Sequence, residues 1–204
     1  SLYKMIRVFR HWLQNHSRWF AHYVAQHLRQ PRGWFGKRIG RAMAHHNHDA
    51  IGFTLDRLPL NSASSILEIG FGPGRALCRA TSIAANAEIH GIDMSRAMLE
   101  QATTYNQQAI DCGQLHLRCG DAQALPYEDS VFDVVYAIHV LYFWDNPHQV
   151  LQEIYRVLKP GGVIALTIEP KESNQRYTVT QTGVFQLYDP CLLYTSDAAD
   201  DGLC

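Results

Sequence analysis

The sequence predicts an α/β fold in which a parallel sheet is covered by helices on both faces. Short apolar runs alternate with helix-like segments between residues 66 and 168, as expected of repeated strand-helix-strand units. The run at 131–138 is apolar and rich in β-branched residues, which is typical of a parallel strand buried on both faces. With 204 residues, 47% of them hydrophobic, the chain can form one such domain with an appendage.

The first of these strands predicts a nucleotide site. Residues 66–74 read Ile-Leu-Glu-Ile-Gly-Phe-Gly-Pro-Gly and are followed by a helical segment, so the glycines form a tight turn between strand and helix. Their spacing is G-x-G-x-G, whereas a dinucleotide site requires a glycine at the position that Arg75 occupies. A buried carboxylate is costly unless it is paired, so Glu68 indicates a cationic ligand.

This strand and turn resemble the first motif of the class I methyltransferases that use S-adenosylmethionine, in which an apolar strand with an acid precedes G-x-G-x-G. The resemblance implies a Rossmann-like fold and S-adenosylmethionine as the cofactor. It places Glu68 near the cofactor's amino group and sulfonium. It also implies that the cofactor contacts the turn at Gly70, Phe71, Gly72 and Gly74.

Later segments of the chain supply further candidate cofactor residues. Asp93 ends the second predicted strand, 19 residues beyond Gly74 (93 − 74). An acid at about this sequence separation from the glycine turn can accept hydrogen bonds from a ribose. A helix-start acid that binds no ligand is the alternative. Met94 follows Asp93 and is predicted to contact the cofactor too. By resemblance, Asp121 and Ala122, after the third predicted strand at 115–119, belong to the adenine-binding turn.

The exit of the fourth predicted strand supplies one candidate catalytic residue. His139 directly follows this strand, where open α/β sheets bind their ligands. It is either a general base or a histidine at the edge of the core that bonds the backbone. A helix capped by Asn146 and Pro147 follows, and residues 158–162, Leu-Lys-Pro-Gly-Gly, predict a turn before the fifth strand at 163–168. That turn is also characteristic of the family.

Residues 1–60 are expected to form a helical N-terminal cap. Residues 1–48 contain nine Lys or Arg and no acid, and residues 1–30 show a helical stripe of apolar side chains. The stripe either packs on the domain, which we favour, or contacts a membrane surface or a lipid substrate. A second helix is expected at 38–58, and the family resemblance implies that this region covers the cofactor, with Trp34, Phe35 and Met43 lining the pocket. The histidines at 45, 46 and 48 lack a metal-binding pattern, so no metal is predicted.

The rest of the chain divides into an incomplete cofactor-binding core at 61–190 and a tail at 191–204. The tail resembles the translation of a sequencing adapter, so we expect it to be non-native. The family's sheet ends in an antiparallel hairpin, which we expect this chain to lack. Five scattered cysteines favour reduced thiols and a cytoplasmic location, and no apolar run reaches the roughly 20 residues of a membrane span.

The expected function is transfer of a methyl group from S-adenosylmethionine to a small-molecule or lipid-like acceptor. One alternative is an NAD-dependent oxidoreductase on the same kind of sheet, which Arg75 and the Leu-Lys-Pro-Gly-Gly turn oppose. Another is a non-catalytic module in which the basic N-terminal half binds lipid or nucleic acid. The expected partners are therefore the acceptor and a peripheral lipid contact, with no specific nucleic acid.

Overall fold

The computed structural model describes residues 18–33, 36, 38, 47–169 and 178–187. The elements within these residues are, in chain order, α1 (Arg18–Arg29), α2 (His48–Leu55), β1 (Ser65–Ile69), α3 (Arg75–Ile83), β2 (Glu88–Asp93), α4 (Arg96–Tyr105), α5 (Gln107–Asp111), β3 (Leu115–Cys119), β4 (Phe132–Ile138), α6 (Pro147–Val157) and β5 (Leu158–Thr167). Short 3-10 turns lie at Leu141–Phe143 and Thr178–Gln181.

All five strands pair in parallel, in the order β3-β2-β1-β4-β5. The chain moves outward from β1 to β3 and then returns to the other side of β1 as β4. Strand order therefore reverses between β1 and β4, and in open α/β sheets the ligand crevice lies at the carboxyl ends of the strands at such a point. The predicted fold class is confirmed.

Two apolar clusters cover the two faces of the sheet. On one face, α2, α3 and α4 contribute side chains such as Leu55, Leu77 and Met98. On the other face, α6 contributes Val150, Ile154 and Val157. Helices therefore cover both faces, as the sequence predicts, and the alternating side chains of the central strands supply both clusters.

The beginning of β5 differs from the prediction. Leu158 already pairs with Phe132 of β4, and the next pair is Val163 with Val134, so the strand begins five residues before the predicted start at residue 163. The intervening residues 159–162 form an irregularity in the strand rather than a turn before it. Pro160 has no N–H to donate and Gly161 has a φ of 78°, so this segment cannot continue the regular ladder.

The helix α1 packs on the domain, which is the favoured one of its two predicted interpretations. Its residues Ala21, Val24 and Ala25 are buried, and the helix contacts the 3-10 turn at Thr178–Gln181. Tyr23, on the same helix, is 42% exposed. The first half of the predicted helix, at 1–17, lies outside the described residues.

Several other predictions concern the ends of the elements. The described part of the second helix ends at Leu55, earlier than the predicted residue 58, because the residue before Pro59 disfavours helical geometry. The predicted pocket residues Trp34, Phe35 and Met43 lie outside the described residues, as does the tail at 191–204. The division into domains, the non-native tail and the missing hairpin therefore stay predictions. No described helix has the length and hydropathy that crossing a membrane requires.

Candidate active site

The predicted site residues meet in one pocket at the carboxyl ends of the strands. Nine of the ten line it: Glu68, Gly70, Phe71, Gly72, Asp93, Met94, Asp121, Ala122 and His139. The tenth, Gly74, precedes α3 as its N-terminal capping residue. Parallel strands bring segments that are far apart in the sequence to the same edge of the sheet, which explains why the motifs converge.

The three glycines of the turn have different structural roles. A Cβ atom on Gly74 would lie 2.5 Å from the side-chain nitrogen Nδ2 of Asn106. A Cβ atom on Gly70 would lie 2.5 Å from Cγ2 of Val140. Both glycines are therefore required by packing within the protein. A Cβ on Gly72 would meet nothing within 4 Å, although its φ of 52° also favours glycine. Gly72 is thus the position where the backbone borders open space in the pocket.

Glu68 is a buried carboxyl group on β1. It is 3% exposed, and its Oε2 accepts a hydrogen bond of 3.0 Å from the hydroxyl of Tyr136, its neighbour on β4. Burial raises the pKa of Glu68 to about 8, the Tyr136 hydrogen bond opposes this increase, and the nearby Asp93 carboxylate adds to it. Among the described residues no Lys, Arg or His pairs with Glu68.

Asp93 is a second buried acid at the end of β2. Its two oxygens accept backbone N–H groups, at 2.8 Å from Gly72 and at 2.8 Å from Ser95. Burial nevertheless raises the pKa of Asp93 to about 6, while these two hydrogen bonds lower it. A carboxylate has about four lone-pair sites, so each oxygen can still accept a hydroxyl donor. The side chain is therefore both fixed in orientation and chemically able to bind a ribose.

The predicted adenine-binding residues follow β3 and line the same pocket. Asp121 accepts a hydrogen bond of 2.9 Å from the N–H of Gln123, which closes a turn of the kind that Asp favours. Ala122 and Met94 also line the pocket, and the Met94 carbonyl accepts a hydrogen bond of 3.1 Å from the side chain of Gln30. The N-terminal segment is thereby attached to the pocket wall beside β2.

His139 lies at the carboxyl end of β4 in a backbone conformation that few non-glycine residues adopt. Its φ is 56°, and its N–H donates a hydrogen bond of 2.8 Å to the carbonyl of Thr167 on β5. Strained residues of this kind cluster at functional sites. Its ring Nδ1 lies 3.1 Å from Oδ1 of Asn47. His139 therefore lines the pocket, and the choice between its two predicted roles stays a prediction.

Sequence reasoning missed several residues of the pocket wall. Arg29 of α1 forms an ion pair with Asp145, which follows β4. Asn47, Phe143 and Trp144 also line the pocket. These contacts join segments about one hundred residues apart and leave no local pattern. The rule that ligands bind beyond the strand ends, which pointed to His139, also covers Phe143 and Trp144, but it gives no signal for Arg29 or Asn47.

Comparison with known proteins identifies the class. A family model described as "Methyltransferase domain" matches residues 67–166. The uncharacterized methyltransferase YdaC of Bacillus subtilis is 32% identical over 135 residues, which cover 66% of this chain and 72% of YdaC. A SAM dependent methyltransferase from Aquifex aeolicus has the same fold, with a TM-score of 0.62 at 18% identity, over 72% of this chain and 78% of that one. The chain therefore belongs to the class I S-adenosylmethionine-dependent methyltransferases, whose cofactor is S-adenosylmethionine.

A further relative is the sterol 24-C-methyltransferase of Candida albicans, which is 30% identical over 161 residues. The match covers 75% of this chain but 41% of that enzyme. The chain likewise spans about two fifths of two other methyltransferase relatives, with 41% and 40% of their lengths. The comparisons thus establish the family and its cofactor, whereas they leave the acceptor open.

The residues of the pocket fit this cofactor. Two acids buried beside each other are costly in the free chain, and a ligand with a cationic end would offset that cost. The open space at Gly72 leaves room for a ligand against the backbone. Both features favour a ligand with positive charge and hydroxyl groups.

Proposed function

We propose that this chain transfers the methyl group of S-adenosylmethionine to a small, largely apolar or lipid-like acceptor. The observation that carries the proposal is the pair of buried acids, Glu68 and Asp93, at the carboxyl ends of neighbouring strands. Glu68 would hold the cofactor's cationic end and Asp93 its ribose, with Asp121 and Ala122 at the adenine. When bound, the cofactor supplies a methyl group that is already activated by the positive charge on its sulfur.

The protein's contribution is then to position the two reactants and to exclude water. The same pocket is also lined by apolar side chains of three different segments, including Leu28 of α1, Ile51 of α2 and Phe143 after β4. Such a wall fits an apolar acceptor better than a charged polymer. The sterol methyltransferase relative supports the same class of acceptor. A peripheral lipid contact through the basic N-terminal segment is part of this proposal.

A thermal shift experiment tests the cofactor part. S-adenosylmethionine at about one hundred times its Kd should stabilise the folded chain by about 2.7 kcal/mol, because a ligand that binds only the native state raises its stability. NAD at the same concentration should leave the unfolding temperature unchanged. Asp93→Ala should lose the shift. A shift with NAD and none with S-adenosylmethionine would favour the oxidoreductase alternative.

A labelling experiment tests the acceptor. The chain is incubated with a cell extract and S-adenosylmethionine that carries an isotopic label in its methyl group. The proposal expects label in the fraction that organic solvent extracts, with Asp93→Ala as the matched control. Label confined to the protein or nucleic acid fraction would contradict a small apolar acceptor.

A further inference from the structure

The side chain of Asn47 is not used for the task that its position in the helix suggests. Asn47 is the N-terminal capping residue of α2, and its carbonyl accepts the hydrogen bond from Ile51 that begins the helix. Asparagine there usually accepts a backbone N–H with its side chain, which stabilises the helix. The Asn47 side chain makes no such bond. It is directed to a different partner.

That partner is the ring of His139, 92 positions further along the chain. Oδ1 of Asn47 lies 3.1 Å from Nδ1 of His139, and both residues line the cofactor pocket. An amide oxygen can only accept a hydrogen bond, so this contact favours the ring form that carries its proton on Nδ1. In the neutral ring this leaves the lone pair on Nε2.

The contact is supported on both sides by the fold. On α2, Thr54 follows Asn47 by seven residues, or about two helical turns, and therefore lies on the same face. Oγ1 of Thr54 lies 2.5 Å from Oγ1 of Thr167 on β5. The carbonyl of Thr167 accepts the N–H of His139 at 2.8 Å. The helix and the histidine are thus attached to the same strand residue, which fixes their separation.

From this geometry we infer that Asn47 is a positioning residue: it holds the proton of neutral His139 on Nδ1, so that Nε2 takes a proton from a hydroxyl-bearing acceptor. The inference rests on the proposed methyl transfer. The hydroxyl oxygen forms a bond to the methyl carbon, the electrons of the breaking C–S bond go to sulfur, and the hydroxyl proton goes to Nε2. The product is a methyl ether, and His139 returns its proton to water.

Nuclear magnetic resonance of the histidine ring nitrogens tests the inference on the full chain without cofactor. Two-bond correlations from the ring C–H groups distinguish a proton on Nδ1 from one on Nε2, and His139→Gln identifies the signals by their loss. We expect Nδ1–H as the major neutral form in the wild type. Asn47→Asp keeps an acceptor oxygen and should retain it. Asn47→Ser should change the major form to Nε2–H, because the shorter side chain cannot reach the ring.

The variants separate positioning from stability. Serine is as good a helix cap as asparagine, so Asn47→Ser should keep the unfolding temperature within a few degrees. Thr54→Val breaks the second attachment of α2 and should lower that temperature while His139 keeps Nδ1–H. The inference would be overturned if the neutral His139 ring of the wild type carried its proton on Nε2, or if the proton stayed on Nδ1 in Asn47→Ser. These outcomes do not depend on cofactor binding, so the thermal shift with S-adenosylmethionine judges the proposed function separately.

The chemical bond in the labelled product tests the assigned acceptor. A labelled methyl ether, lost or reduced at least tenfold in His139→Gln, is expected of a base that acts on a hydroxyl. Label attached to nitrogen or to carbon would contradict the hydroxyl acceptor.

Discussion

At the scale of single residues, the glycines of the turn have two different roles, one in packing and one in ligand binding. Gly74 is constrained by the protein itself, because a side chain would overlap Asn106 and Ala102. Gly72 has open space around it, and its N–H donates to Asp93, the acid assigned to the ribose. Substitution at the first position should therefore affect folding, and substitution at the second should affect the ligand.

We predict that Gly74→Ala destabilises the chain by about 1 to 3 kcal/mol, from backbone strain and steric overlap together. Gly72→Ala should cost less stability, since only the strain of its positive φ is present. It should nevertheless lower the affinity for S-adenosylmethionine at least tenfold. Urea denaturation and calorimetric titration measure the two effects. If Gly74→Ala proved the milder change for folding, the division of roles would be wrong.

The residue scale also shows the limit of sequence reasoning. The positions of Glu68, Asp93 and Asp121 could be predicted, because each residue belongs to a local sequence pattern of an apolar strand and a turn. The contacts of Asn47 with His139 and of Arg29 with Asp145 could not, because they depend on how distant segments pack. The burial that raises the pKa of Glu68 is also a tertiary property.

At the scale of elements, the beginning of β5 is the informative difference from prediction. The helix α6 and the strand β5 were recognisable from their apolar periodicity, but the pairing of Leu158 with Phe132 depends on register. The irregular segment is held by Asp133 of β4. Its carboxylate accepts a hydrogen bond of 2.9 Å from Nζ of Lys159 and hydrogen bonds of 2.9 Å from the N–H groups of Ser64 and Ser65.

Asp133→Ala is predicted to destabilise the chain by about 1 to 3 kcal/mol, because it leaves these donors without their acceptor. Although burial opposes it, hydrogen bonding from Ser64 and Lys159 holds the pKa of Asp133 well below its usual value. Its contribution is therefore present at neutral pH and is lost as the pH falls through its lowered pKa. Asp133 lies near the amino ends of β1 and β4, away from the site, so cofactor affinity should not change. Denaturation at neutral and at acid pH measures the loss of stability, and calorimetric titration with S-adenosylmethionine measures the affinity. A weakened affinity in Asp133→Ala would refute the prediction that Asp133 acts away from the site.

At the scale of the whole molecule, the site is placed at a cost to the stability of the free chain. Two carboxyl groups lie in the interior between the two apolar clusters, and burial raises the pKa of both. In the unfolded chain Glu68 ionises near its ordinary pKa of 4.5, whereas in the folded chain it ionises near about 8. Between these values the folded state binds more protons, so stability falls as the pH rises.

We therefore predict that Glu68→Gln has about the wild-type stability near pH 4.5 and is the more stable protein above about pH 8. Glutamine keeps an oxygen for the Tyr136 hydroxyl but never ionises. Thermal unfolding of both proteins without ligand across this range gives the comparison. A difference between them that did not vary with pH would show that Glu68 does not titrate as its burial implies.

The most direct measurement of the central claim is calorimetric titration with S-adenosylmethionine near pH 7, in two buffers that differ in ionisation enthalpy. Glu68, whose pKa is about 8 in the free chain, should ionise when it meets the cationic end of the cofactor, so binding should release most of one proton. Glu68→Gln should bind more weakly and release far less than the wild type, because only the small protonated fraction of Asp93 remains to ionise, while Asp133→Ala should match the wild type in both. Wild-type binding without proton release, together with unchanged affinity in Glu68→Gln, would contradict the account.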